Sequence, residues 1–255
     1  MIFTRSMFYY GFSVLAQFNL FSFQELTGPV RTAVITAKAY TLTQAATELA
    51  RALNAAGSQV YTVTLDRVTR QITISAPANF SILIDGGPYA GSPIFGIFGL
   101  GDNDLTGANT YTGLNPIGRV YMPQIPLLDY QPTKATKRAI DATINESGNA
   151  GLEVIRFGTL RLMRCTIDLI TNTPQNIDSI IETDVMAYEN ALEFMESITN
   201  KEPVEFMENR EEPENFESLL LESTAQDQRG LGFDLVEKAN LPGFFTTGLL
   251  TFRKV

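Results

Sequence analysis

The chain has 255 residues, 44% of them hydrophobic and 18% charged, a balance that fits a folded protein and excludes a disordered one. Its formal net charge is −9 at neutral pH, so its surface repels phosphate, and genome coating or sequence reading is excluded unless basic residues cluster strongly. Histidine is absent and cysteine occurs once, which removes histidine-dependent nucleophile systems, histidine-based zinc or iron sites and any intramolecular disulfide.

Residues 7–16 follow Arg5 as an apolar run that loosely imitates a signal sequence. Gln17, Asn19 and Gln24 interrupt it, and nothing here is long enough to span a bilayer, so an aromatic-rich strand pair is expected. Residues 3–23 hold too many large apolar groups to stay in water alone, and part of them is expected against a neighbouring domain or subunit. Leu42, Ala45, Ala46, Leu49, Leu53 and Ala56 then keep helical spacing. Thr41 and Gln44 can form a capping box, and Gly57 can close the last turn. Tyr61, Val63 and Leu65 alternate with Thr62 and Thr64, residues 66–70 interrupt, and Ile72 and Ile74 alternate with Thr73 and Ser75. The pattern predicts a hairpin laid against the helix.

Glycine-rich segments follow at Gly86 and Gly87 and at Gly96, Gly99 and Gly101, without a P-loop lysine-serine pair or a dinucleotide fingerprint, so phosphate cradling is not expected. Residues 94–98 are expected to be buried in their own domain. Asp102, Asn103, Asp104, Thr106 and Gly107 imitate the start of a calcium loop, but the twelfth position is Gly113 where a bidentate glutamate is needed. A surface turn whose side chains bond their own backbone explains the same residues.

Regular structure breaks at Asn115, Pro116 and Gly118 and again at Pro123, Pro126 and Pro132, which marks an interdomain connection. Lys134, Lys137 and Arg138 form a small basic cluster, read as a solvated turn. Residues 152–158 and 160–170 predict two strands, with Cys165 as a buried, inert thiol. Beyond Asp184, Val185, Tyr188, Leu192, Met195 and Thr199 lie on one side of a predicted helix, with Glu189, Glu193 and Glu196 opposite and a stop at Asn200 and Pro203. Strand-like pieces follow at 203–207, 216–222, 232–236 and 244–252, punctuated by Gly230, Gly232, Gly243 and Gly248. Residues 182–222 are rich in carboxylates, with Lys201 and Arg210 as the counter-cations; a solvated acidic face, or one meeting basic neighbours in an assembly, is expected rather than a glycosidase pair.

The run over residues 40–83 followed by residues 96–113 resembles an accessory α+β domain of phage tail, baseplate and decoration proteins. Residues 157–172, the helix after them and residues 203–254 look like part of a distal-tail type protein. The resemblance implies a virion setting and brings no catalytic residues.

The expected fold class is α+β and β-rich, with two domains, 1–115 and 116–255, each a sheet or sandwich with one principal helix. The expected function is non-enzymatic: a subunit of a tail-tip, baseplate or tail-adaptor ring that joins the tail tube to peripheral parts of a tailed-phage virion. Its expected partners are copies of itself in a ring, six being the expected number, and other tail proteins, with no direct nucleic acid and no membrane. It is expected to assemble in the host cytoplasm, with no catalytic, metal or cofactor residues. The alternatives are a neck or capsid-surface virion protein and a bacterial surface or secreted carbohydrate-binding module.

Overall fold

A computed structural model describes residues 6–26, 28–123, 138–146, 152–171, 174–175, 185–209, 212 and 214–255; within 138–161, 174–175 and 185–189 it describes the backbone alone. The fold is α+β and dominated by antiparallel strands. In chain order the first part holds β1 (Met7–Tyr10), β2 (Phe12–Val14), β3 (Leu20–Glu25), β4 (Val30–Val34), β5 (Lys38–Tyr40), α1 (Leu42–Ala56), β6 (Thr62–Asp66), β7 (Gln71–Ile82), α2 (Pro93–Ile97), β8 (Leu105–Thr112) and β9 (Arg119–Tyr121). The second part holds β10 (Arg138–Glu146), β11 (Leu152–Thr166), β12 (Ile170–Thr171), β13 (Pro174–Gln175), β14 (Val185–Met186), α3 (Ala187–Thr199), β15 (Val204–Met207), β16 (Phe216–Ser223), β17 (Val236–Lys238), β18 (Leu241–Thr246) and β19 (Leu249–Lys254).

The main sheet runs β10-β11-β19-β16-β15-β1-β9, so the first described strand lies inside a sheet built mostly by the second half, next to its edge strand β9. The reason is visible in its sequence. Met7 and Tyr9 face one hydrophobic cluster while Phe8 and Tyr10 face another, and all four are buried. A strand covered on both faces reads as a continuous apolar run instead of an alternating one. The aromatic groups expected to need a neighbour therefore find it within the chain. Gly11, at φ +73°, turns the backbone out of this sheet into β2, which pairs with β5.

One face of the main sheet packs on α3. Phe194 lies 4.9 Å from the Phe8 ring and 4.8 Å from the Tyr121 ring, centroid to centroid. The inward stripe of this helix is Ala191, Phe194, Met195 and Ile198, with Thr199 also buried. The sequence reading centred it on Leu192, which is half-buried, and Val185 precedes the helix in β14. The two stripes overlap at Met195 and Thr199, and the bulkier pair Phe194 and Ile198 takes the centre of the core.

The other face meets the second sheet, β4-β3-β7-β6 with β8 added on β7, and α1 beneath it. α1 has the predicted capping box, with Thr41 Oγ1 accepting from the Gln44 amide and the Gln44 side chain accepting from the Thr41 amide. Gly57 ends it by donating to the Leu53 carbonyl in an extended conformation, not the left-handed one. Glycine is required there because a Cβ would stand 2.7 Å from the Tyr61 ring and 2.8 Å from the Glu25 carboxylate. The predicted hairpin forms as β6 and β7, with Leu65 opposite Ile72 and Val63 opposite Ile74.

Several expectations change. Residues 152–166 form one strand rather than two; Gly158 sits at a bulge, where pairing passes from Asp141↔Gly158 to Ala142↔Arg156 and leaves Phe157 without an opposite residue. Arg138 opens β10 rather than a turn. Residues 232–236 are largely outside strands, and residues 244–252 divide into β18 and β19 around Thr247 and Gly248.

Candidate functional site

A buried polar cluster lies where the two sheets meet, at the N-terminal end of α1. Helix formation leaves the first amides of α1 without intrahelical acceptors. Thr41 takes the amide of Gln44, and Glu205 of β15 takes that of Thr43, Oε1 accepting at 2.9 Å. A carboxylate at a helix N-terminus also meets the positive end of the helix dipole. Glu205 is fully buried, so its charge needs a partner. Arg67, in the β6–β7 turn, provides it at 2.5 Å through Nη1, while its Nη2 donates to Thr43 Oγ1. The guanidinium lies 3.5 Å above the centre of the Phe216 ring. Tyr9, opposite Glu205 in the sheet, donates its hydroxyl to the Arg67 carbonyl at 2.5 Å. Burial pushes the Tyr9 phenol up to about 12, so it stays a neutral donor. Arg70, also buried, holds a left-handed φ of +57° and donates to the Gly118 carbonyl at 2.9 Å.

Beside this cluster runs a groove of about 570 Å³. α1 contributes Thr43, Ala46 and Thr47, β6 contributes Val63, Thr64 and Leu65, and Arg67, Glu214 and Phe216 complete the lining. Its apolar lining is Ala46, Val63, Leu65 and Phe216, and its hydroxyls belong to threonines. The arrangement can bind and position a chain, and the charge of Arg67 is already balanced by Glu205.

The residues singled out in the sequence are dispersed. Asp104 Oδ1 accepts from the amides of Asp85 and Gly86 at 2.8 and 3.0 Å, and β8 begins at Leu105. Thr106 and Gly107 belong to this strand, and Gly107, at φ +81°, lies where its pairing with β7 shifts register between Ala108 and Leu105. Among the described residues no three histidine, cysteine, aspartate or glutamate side chains gather as metal ligands. Two of the glycines serve close packing: a Cβ on Gly87 would stand 2.9 Å from Leu83 Cβ and Ser22 Cβ, and one on Gly99 only 2.2 Å from the Asn115 carbonyl oxygen, whereas one on Gly96 would meet nothing within 4 Å. Ile94, Phe95 and Phe98 are buried in their own core, as expected. Cys165 is buried and its thiol pushed up to about 12 by burial, which keeps it protonated and inert.

The carboxylate-rich stretch is not one solvated face. Glu205 is the buried junction residue, Glu193 pairs with Arg119, Glu217 with Lys254 and Glu222 with Arg253, and Glu202 accepts from Ser13 and Ser197. Lys134 and Lys137 lie outside the described residues. Sequence reasoning missed Tyr9, Arg67, Glu205 and Phe216 as a group. The available signal was Glu205 itself, a carboxylate inside the otherwise apolar strand Val204–Met207. No protein-family model and no curated protein matches the chain.

Proposed function

We propose that the chain is a non-enzymatic structural subunit of a tailed-phage virion, one copy in a tail-tip, baseplate or tail-adaptor ring that joins the tail tube to peripheral parts. Its partners are further copies of itself and neighbouring tail proteins, and it reaches the virion by assembly in the host cytoplasm. The resemblance over residues 40–113 motivates the setting. The observation that carries the mechanism is the β10–β11 hairpin. β10 pairs with residues 152–161 of β11, whereas β19 pairs with residues 162–166, so the hairpin continues past the end of the β19 pairing. At about 3.3 Å per residue it adds roughly 30 Å of reach. A rigid body with such an arm joins neighbours by position, and head-to-tail contacts of this kind close into rings.

The sheet junction supports the same role, because Glu205, Arg67 and the Thr43 amide tie α1 to the main sheet through groups that cannot be separated without exposing a buried charge. Light scattering and negative-stain microscopy of the purified protein, with and without the distal hairpin residues 142–156, test the mechanism. Closed rings that revert to monomers when the hairpin tip is shortened are expected. Identical assembly by both forms contradicts it.

A further inference from the structure

We infer that the groove between α1, β6 and Phe216 receives an extended peptide segment of a neighbouring protein, apolar at alternate positions and bearing basic residues at its ends, as a strand added to the free edge of β6. The inference does not rest on the ring reading, which depends on the β10–β11 arm.

Two independent features coincide here. The first is a strand edge. Among the described residues β6 pairs with β7 alone, and the second sheet ends on it. Its sequence, Thr-Val-Thr-Leu-Asp, carries neither the lysine nor the proline that commonly blocks strand addition. The second is the groove of about 570 Å³ lined by Val63, Thr64 and Leu65 of that strand, a volume within the roughly 300–1,000 Å³ of clefts that bind ligands. Val63 and Leu65 are half-buried toward the core, while Thr62 and Thr64 are exposed on the other face. An added strand keeps that alternation. Its apolar residues continue the Val63 and Leu65 side above Ala46 and Phe216, and its polar residues continue the Thr62 and Thr64 side. Main-chain hydrogen bonds to β6 supply the affinity and the groove selects the side chains.

Charge selects the ends. Arg67 is neutralised by Glu205, so the remaining charges at the groove are Glu214 on its wall and Asp66 at the end of β6. Neither carboxylate forms an ion pair among the described residues; Asp66 accepts only the amides of Val68 and Thr69. A segment with lysine or arginine at its ends matches both.

The test uses the full chain and a fluorescein-labelled eight-residue peptide of alternating valine and threonine with a lysine at each end, followed by anisotropy. Saturable binding is expected, with an otherwise identical glutamate-ended peptide about tenfold weaker. Thr47→Arg fills the groove from an exposed helical position and should abolish binding, whereas Glu214→Lys should erase the preference for lysine ends. Hydrogen exchange should slow at residues 62–66 on binding. Absence of binding by the lysine-ended peptide, equal binding by the Thr47→Arg protein, or binding without protection of β6 overturns the inference.

Discussion

Glu205 is the residue on which the junction turns. It is buried and spends both carboxylate oxygens, one on the Thr43 amide and one on Arg67. Removing one member of a buried pair leaves the other charge uncompensated, so Glu205→Ala should cost about 3–5 kcal/mol in urea unfolding. The double variant with Arg67→Ala should cost less than the sum of the two single ones. Additive costs contradict a coupled pair. Acid tests a second set of carboxylates. The Arg51 hydrogen bonds to Glu48 hold its carboxyl down to about 2. For Glu25, burial pushes the carboxyl up, but hydrogen bonds from Ser58, Gln59 and Tyr61 together outweigh it and hold it below its ordinary value. A carboxyl whose folded pKa is depressed binds fewer protons than in the unfolded chain. Its stabilisation is therefore present above the ordinary value and lost as pH falls through the folded one. Melting temperature should fall between about pH 4.5 and about pH 2, and Glu48→Gln should flatten that fall while lowering the neutral-pH value. A slope unchanged by Glu48→Gln contradicts this assignment.

At the level of elements, legibility in the sequence followed locality. α1 was readable to its caps because Thr41, Gln44 and the apolar stripe lie within a few turns of one another, and the β6–β7 hairpin because its two strands are joined by a short turn. β9 was hidden by the prolines around it, and its strand state is decided by a partner far along the chain, β1; β10 was hidden by the basic residues at its start, although its partner β11 is the next strand. β8 was hidden by Gly107 and Asn109, which read as turn residues, yet Thr112 pairs with Thr73 and Tyr111 with Ile74. The groove was illegible because α1 and β6 meet residues far along the chain there, Glu214 just before β16 and Phe216 at its start. Close contacts between distant elements also set the glycines. Gly99 has φ +67°, and any Cβ there meets the Asn115 carbonyl, so Gly99→Ala should destabilise by about 1–3 kcal/mol or more, read as a lower urea midpoint with an unchanged slope. An unshifted midpoint contradicts the close approach.

The whole molecule is held together by its first strand. β1 lies between β15 and β9 and sends Met7 and Tyr9 into the core shared with α1, and Phe8 and Tyr10 into the core shared with α3. Deleting residues 1–17 should therefore abolish cooperative unfolding in both parts of the chain, seen as loss of near-ultraviolet dichroism and of a sharp melting transition. A deleted protein that keeps residues 40–113 folded contradicts the role of β1 as a shared element. The length of the β10–β11 hairpin and the tying of the two sheets at Glu205 support positional joining as the mechanism we propose for a virion subunit. The most direct test is a cryo-electron microscopy map of purified phage particles produced from a genome that encodes this chain. The account predicts density for the chain as a closed ring of copies in the tail tip, baseplate or tail adaptor, with each β10–β11 hairpin against a neighbour. Particles that are complete without the chain contradict it.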